Sequence, residues 1–508
     1  MFRKIISVGG WTLLSRLTGF IRDVVIAAVM GVGPIADAFF VAFRIPNHFR
    51  AIFGEGAFNN AFLPTYAKSL ETQGDRAASS FAARITTLML IVQIALLVAA
   101  YLAMPAVVRL LAPGFSEDPA KFALAVTLTR ITFPYLLCVT LVTIYSGVLN
   151  AHDRFTAAAA APILLNVSMI AALAVAFLFP NAGYAAAWGV TIAGILELGL
   201  VWLSARRAGI DPGLERPRLD AVMKRFFRTL GPAVVGSAGV QLAMFADTII
   251  ASFLPTGAVS SLYYADRIYQ LPLGVIGIAA GTVLLPEMSR RIAAGDAQAA
   301  YAAQNRTVSF TLVIAAPFVV AFMAMPDLIM SALFQRGAFD VAAAQRAGAV
   351  LSAYAVGLPA AVLIRSAVAS FYARSDTLTP LIASLTAVAA NIVLKIALMG
   401  TYGVVGLALG TSIGAWVNLL LLFALAYRRG WAEPNRVLGK TVLSVAVASL
   451  LLAGFAVLAY DPFERWTSAL PAWRSESLLA ALGACGAVLY GAVLLAGLKL
   501  SGIRLARR

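Results

Sequence analysis

Apolar stretches of about 20 residues recur along almost the whole chain, and no other feature constrains its fold as strongly. They fall at 5–30, 34–64, 82–111, 122–150, 157–179, 183–205, 229–254, 259–288, 304–331, 343–372, 378–399, 403–427, 437–459 and 476–499. A bilayer core has no water to satisfy open backbone groups, so each stretch is expected to be helical. The expectation is an all-α polytopic membrane protein with about fourteen transmembrane helices. Composition agrees: 61% of the 508 residues are hydrophobic, 12% are charged, and the mean hydropathy is +0.88. A soluble domain sits nearer 45–50% and about 25%.

The net charge of +16 would also suit a nucleic-acid binder, but no soluble basic face is apparent. Basic residues at the cytosolic ends of membrane helices account for it more simply. Arg3, Lys4, Lys68, Arg76, Arg154, the 206–228 stretch, Arg290, Arg291, Arg374, 428–440 and 499–508 fall on one side. The opposite loops contribute few, among them Lys121, Arg336, Arg346, Arg465 and Arg474. Both termini are therefore expected in the cytoplasm. Arg3 and Lys4 before Ile5–Leu14 resemble the start of a signal peptide, but no small-residue cleavage site follows, so an uncleaved first helix is expected. Cys138 and Cys485 lie in apolar stretches, with no metal or redox spacing.

The chain repeats itself. Leu63-Pro64 and Lys68 recur as Leu285-Pro286 and Arg290, Ala103-Met104-Pro105 as Ala324-Met325-Pro326, and Arg206-Arg207 as Arg428-Arg429. Asp23 falls on Asp247. The offset stays near 222 across six helices, so both copies keep one orientation, a parallel repeat of the kind found in transporters. The expected divisions are a six-helix lobe at 1–206, an amphipathic cytoplasmic linker at 207–228, a second lobe at 229–430, and two further helices in 431–508. A substrate site is expected between the lobes, near the midplane.

The first lobe is the more highly charged. Within Ser15–Pro64, two apolar segments carry Arg16, Arg22, Asp23, Asp37, Arg44, Arg50 and Glu55. A charge at membrane depth costs from about 2.5 kcal/mol to 10 or more, so such residues face a water-filled cavity or pair inside a bundle. Four are arginines, whose planar fork matches phosphate and carboxylate oxygens. Arg16 and Asp23 share a helix face, as do Asp37 and Arg44. Arg22 lies off that face and is expected to project unpaired toward a lumen. Pro46 with Gly54 and Gly56 predicts a bend in the second helix, and Pro272 with Gly274 one in the eighth. Plainer explanations exist for most of these charges. Arg16 and Asp23 can be a structural ion pair, Arg50 and Glu55 can snorkel, and Asp266 with Arg267 can be a local pair. Snorkelling does not account for Arg22, which lies mid-segment.

No HExxH, GxxxxGK[ST] or GxSxG motif occurs, and no catalytic constellation is visible. The runs SRLTGFIRD, ADAFFVAFRIPN, FRAIFGEGAFNNAFLP and YYADRIYQLPLGVIGIAAGTVLLPEMSR resemble the MurJ (MviN) family. These are lipid II flippases of bacterial peptidoglycan synthesis, within the multidrug/oligosaccharidyl-lipid/polysaccharide exporter superfamily. The resemblance runs over essentially the whole chain. It implies a transporter, not an enzyme, in the inner membrane, with two six-helix lobes, a cationic cavity, and a lipid-tail groove formed by helices 13 and 14. The family's functional residues match Arg16, Arg22, Asp23, Asp37, Asn47, Arg50, Glu55, Asp266 and Arg267, and Arg44 stands where relatives also carry lysine. Some relatives are thought to bind sodium, and Asp247 matches part of such a site. The implied substrate is lipid II, handled by a monomer among membrane lipids without nucleic acid. No cofactor is implied beyond coupling to Na+, H+ or the membrane potential. Flippases for other polyprenyl-pyrophosphate-linked glycans remain the nearest alternative. A multidrug or cation exporter would want an acidic, aromatic cavity, and a polyprenyl-phosphate transferase would want a base and a metal-binding acidic pair.

Overall fold

The computed structural model describes residues 2–50, 57–468 and 473–502, and every regular element among them is helical. Nine helices among the described residues are long and apolar enough to cross a membrane. One of these, Leu378–Arg428, merges two of the expected spans across a kink at Gly403 (φ 53°). The other four expected spans fall on Phe2–Met30, Pro34–Arg50, Ala221–Ser252 and Ala258–Ala293, helices that carry charges or prolines, with 51–56 of the second span outside the described residues. Together these account for fourteen.

The first of two compact units runs to Ser260 and includes Arg336–Phe339. Its helices are α1 (Phe2–Met30), α2 (Pro34–Arg50), α3 (Ala57–Gln73), α4 (Asp75–Leu102), α5 (Met104–Leu111), α6 (Pro119–Thr132), α7 (Pro134–Ala151), α8 (Thr156–Ala174), α9 (Ala182–Arg207) and α10 (Ala221–Ser252). The expected spans 82–111 and 122–150 are each split in two, at Ala103 and Phe133. Pro105 and Pro134 stand in the first turn of the helix that follows, where a missing N–H costs nothing. Pro46 lies inside α2.

An aromatic stack fastens α3, α4 and α10 together. Phe62 stacks on Phe58 and on Phe81, and Phe226 stands edge-on to Phe58 and Phe81 with centroids 5.7 and 5.9 Å away. All four rings are buried, and such pairs contribute about 0.5–1.5 kcal/mol each beyond their burial. Between α9 and α10 the linker has no regular structure from Ile210 to Asp220, and residues 221–228 of the expected 207–228 segment form the first two turns of α10. It is tied down by Arg84 of α4, which donates to Glu215 at 2.9 Å and to Asp220. Ser80 also donates to Glu215, and Tyr145 donates to Asp211 at 3.3 Å.

The second unit holds Ser261–Gln335 and Asp340–Arg508. Its helices are α11 (Ala258–Ala293, from its fourth residue on), α12 (Ala297–Ala324), α13 (Pro326–Phe334), α14 (Val341–Tyr372), α15 (Leu378–Arg428), α16 (Arg436–Thr467) and α17 (Arg474–Leu500). The two limbs of α15 fold against each other on Gly406, Gly410 and Gly414. A Cβ there would come within 2.5 Å of Leu398, 2.7 Å of Lys395 and 2.9 Å of Asn391. Small residues at this spacing let two helices approach closely inside a membrane. The last two helices, α16 and α17, share a core of Val445, Ala448, Leu452, Tyr490, Leu494 and Leu498. The Tyr490 hydroxyl donates to the Val313 carbonyl of α12 at 2.8 Å.

Candidate functional site

Arg22 and Asp23 are adjacent on α1, and both are buried, Arg22 at 6% exposure. Adjacent positions diverge on a helix, but the long arginine folds back. Its Nε and Nη2 donate to Asp23 Oδ1 at 3.1 and 2.7 Å. The expectation of an unpaired Arg22 is therefore corrected. On its other side Nη1 donates to Asn166 Oδ1 of α8 at 3.0 Å. Asn166 is itself fixed, because its amide nitrogen donates to the Ser15 carbonyl at 3.0 Å and to Thr18 Oγ1 at 3.1 Å. The guanidinium is thus clamped between a carboxylate and an amide, with the Phe43 ring 5.9 Å from it. Asp23 has Arg22 as its ion-pair partner; Arg16 is exposed and makes no ion pair among the described residues, so the Arg16–Asp23 pairing is not formed.

Asp37 is fully buried, and its oxygens are satisfied by the protein. Lys121 Nζ lies 3.0 Å away, and the backbone N–H groups of Gly257 and Ser260 donate at 2.7 and 2.9 Å. The Ser260 hydroxyl adds a fourth bond at 2.8 Å. Lys121, placed in a loop by the charge pattern, is instead buried in the first turn of α6, with its ammonium 4.0 Å from the Phe115 ring centroid. Burying two charges is tolerable only with this degree of pairing and hydrogen bonding. Arg44, expected on the face of Asp37, donates instead to Thr248 Oγ1 of α10 at 3.0 Å. Asn47 and Arg50 fall in the last turn of α2, but their side chains lie outside the described residues, as does Glu55.

In the second unit, Arg267 donates to the Tyr263 hydroxyl at 3.0 Å and sits 4.8 Å from that ring's centroid. Asp266 accepts from Gln270 one turn later. Near them on α11, Gly277 makes room for Arg365 of α14, whose Nε would lie 2.9 Å from a Cβ. Arg365 also lines a cleft of about 330 Å³ with Gly281 and Leu285. Asp247 lies half-buried in α10; among the described residues it joins no cluster of three His, Cys, Asp or Glu groups. Where α12, α16 and α17 meet, a mostly apolar groove of about 470 Å³ is lined by Phe310, Val313, Val437, Leu494, Leu495 and Leu498.

The structure brings Arg22 and Asp23 together, keeps Asp37 apart with Lys121, and leaves Arg16 exposed. Reading the sequence missed Asn166, Lys121, Ser260 and Arg365. The signal for Arg365 was present, since an arginine interrupts the apolar run of α14. Asn166 and Ser260 are small polar residues in apolar helices and carry no such mark.

The family model described as lipid II flippase MurJ matches residues 26–473. A Rhizobium meliloti protein named "Probable lipid II flippase MurJ" is 42% identical, covering 99% of this chain and 96% of its own. A Burkholderia cenocepacia protein named "Lipid II flippase MurJ" is 33% identical over 99% of each. Among solved structures, a lipid II flippase MurJ in an inward closed conformation superposes with TM-score 0.79 at 24% identity, covering 97% of this chain and 99% of its own. An inward-facing multidrug resistance MATE family transporter of the MOP superfamily gives 0.69 at 15% identity, covering 84% and 97%.

Proposed function

This chain belongs to the lipid II flippase MurJ family, and on that premise we propose that it carries lipid II across the bacterial inner membrane by alternating access. It is a transporter, not an enzyme. The substrate moves from the cytoplasmic to the periplasmic leaflet, with both termini of the protein in the cytoplasm and the protein acting as a monomer. Lipid II presents a pyrophosphate, a polar sugar-peptide head and an isoprenoid tail, and the chain offers a counterpart to the first and the last. The α12–α16–α17 groove suits the tail. The arginines suit the pyrophosphate through forked, charge-assisted hydrogen bonds.

The observation that carries the reading is the clamp on Arg22. A guanidinium gripped by Asp23 and Asn166 within an apolar helix is pre-set in orientation, which removes part of the ordering cost of binding. Arg16, exposed on the same helix, supplies a cation with no ion pair of its own among the described residues. The cycle is proposed to draw on the membrane potential, worth about 2.3 kcal/mol per charge per 100 mV.

The test is complementation in a host depleted of its own flippase. This chain should restore growth and clear the lipid-linked precursor that accumulates on the cytoplasmic leaflet, while an Arg16→Ala, Arg22→Ala double variant should reach the membrane without doing so. A wild-type chain that inserts normally yet leaves lipid II in the cytoplasmic leaflet overturns the reading. Clearance of a different polyprenyl-linked glycan would reassign the headgroup.

A further inference from the structure

The cytoplasmic ends of α3 and α10 enclose a cleft of about 410 Å³ that the flippase reading does not use. Its size falls in the range of small-molecule sites, about 300–1,000 Å³. Thr65, Lys68, Ser69 and Thr72 line it from one face of α3, and Arg225 and Thr229 from one face of α10. Among the described residues no carboxylate lines it. Lys68 and Arg225 make no ion pair among the described residues, although both lie within the first unit, as do the linker acids Asp211, Glu215 and Asp220. These three acids are already engaged: Glu215 and Asp220 both go to Arg84, and Asp211 accepts from Tyr145. The two helices are held in place behind the cleft, since Phe226, next to Arg225, is locked between Phe58 and Phe81.

We propose that this cleft is a phosphate-binding site distinct from the transport site. Two cations lining one polar cavity with no counter-charge among its described lining residues repel each other, and an anion between them relieves the repulsion. The threonine hydroxyls are held by their own helix, Thr72 donating to the Lys68 carbonyl at 2.7 Å and Thr229 to the Arg225 carbonyl at 3.2 Å. Lys68 and Arg225 therefore carry the recognition, and the hydroxyls can join by rotating. The shared chemistry is a phosphate group, on a phospholipid of the inner leaflet or on a soluble phosphate compound.

The full-length protein tests this, in nanodiscs of mixed phosphatidylcholine and phosphatidylglycerol and, separately, in detergent with inorganic pyrophosphate at low salt. Native mass spectrometry reads retained phosphatidylglycerol, and thermal unfolding reads the pyrophosphate shift. Three proteins are compared: wild type, a Lys68→Gln, Arg225→Gln double variant, and a Lys224→Gln, Arg228→Gln double variant. The last removes equal charge from α10 outside the cleft. Loss of about tenfold in affinity per cation removed is expected, the lower end for charge-assisted hydrogen bonds. A cleft-specific loss of phosphatidylglycerol identifies a lipid headgroup, and a cleft-specific loss of the pyrophosphate shift identifies a soluble phosphate. Equal losses in both double variants, or no binding of either probe to the wild type, overturns the proposal. Growth is not a readout here, so failure would leave the flippase reading untouched.

Discussion

Arg22 and Asp37 were both visible in the sequence as charges that an apolar helix must justify, but their partners were not. Asn166 lies 144 positions from Arg22 and Ser260 lies 223 from Asp37. Nothing in local spacing connects such residues, because only the tertiary fold brings them together. The contacts separate two roles. Arg22→Lys keeps the charge but cannot reach Asp23 and Asn166 with one fork, so it should complement poorly at normal membrane levels. Full growth with Arg22→Lys would reduce Arg22 to a counter-ion. Asn166→Ala leaves one guanidinium nitrogen without its amide, a penalty of about 1–3 kcal/mol. Growth should weaken, with Asn166→Asp recovering more than Asn166→Leu because only aspartate retains an acceptor. At Asp37 the penalty is larger. Asp37→Asn strands a buried ammonium, which costs about 3–5 kcal/mol when one partner of a buried pair is removed. The melting temperature should fall accordingly, and adding Lys121→Met should restore much of it. If the double variant is no more stable than the single, the pair is not the source of the loss.

At the scale of elements, the spans were legible because apolar length is a strong signal, and their internal breaks were not. Composition is equally apolar on both sides of Ala103 and Phe133, so only the prolines that follow mark the change. Close backbone approaches leave a fainter trace. Gly337 (φ +57°) would place a Cβ 2.2 Å from the Ala28 carbonyl oxygen, and the adjacent Ala338 N–H donates to that same oxygen at 2.7 Å. Gly31 (φ +61°) meets the Ala338 carbonyl at the same distance. Gly337→Ala must both adopt a left-handed backbone, at about 1–2 kcal/mol, and displace the contact. Thermal stability should drop by at least that much, whereas Gly199→Ala, which meets nothing nearby, should be neutral or better. Equal melting temperatures for the two variants would mean that the contact is not held in solution.

For the molecule as a whole, the repeat read from the sequence and the compact units do not share a boundary. The first helix of the second repeat, α10, packs on α3 and belongs to the first unit. Repetition records ancestry, whereas compactness records present contacts, and only the first can be read from offsets. The linker between the repeats is held by charge. Hydrogen bonds from Ser80, then Arg84, lower the pKa of the Glu215 carboxyl below its ordinary 4.5. A lowered carboxyl pKa gives stability that is present above the unfolded value and lost as pH falls through the folded one. The linker should therefore stay docked at neutral pH and loosen below about pH 4.5. The protection factor of the Glu215 N–H, which donates to Thr87, should fall over that range after division by the intrinsic pH dependence of exchange, and Glu215→Gln should be poorly protected already at pH 7. Unchanged exchange in Glu215→Gln would mean that the linker is held by other contacts.

The four residues 336–339 also set an order of assembly. The rest of the first unit has been synthesised once the ribosome passes Ser260, but these four arrive 76 residues later. At about 5–20 residues per second, that leaves an interval on the order of 4–15 s. Throughout it, the Ala28 carbonyl at the end of α1 waits for the N–H that will cap it. A nascent chain stalled short of 336 should leave a cysteine at position 28 open to a thiol reagent, and one stalled far enough past 339 to free that loop from the ribosome should protect it. Membrane insertion of the first unit would then finish only after much of the second has been made.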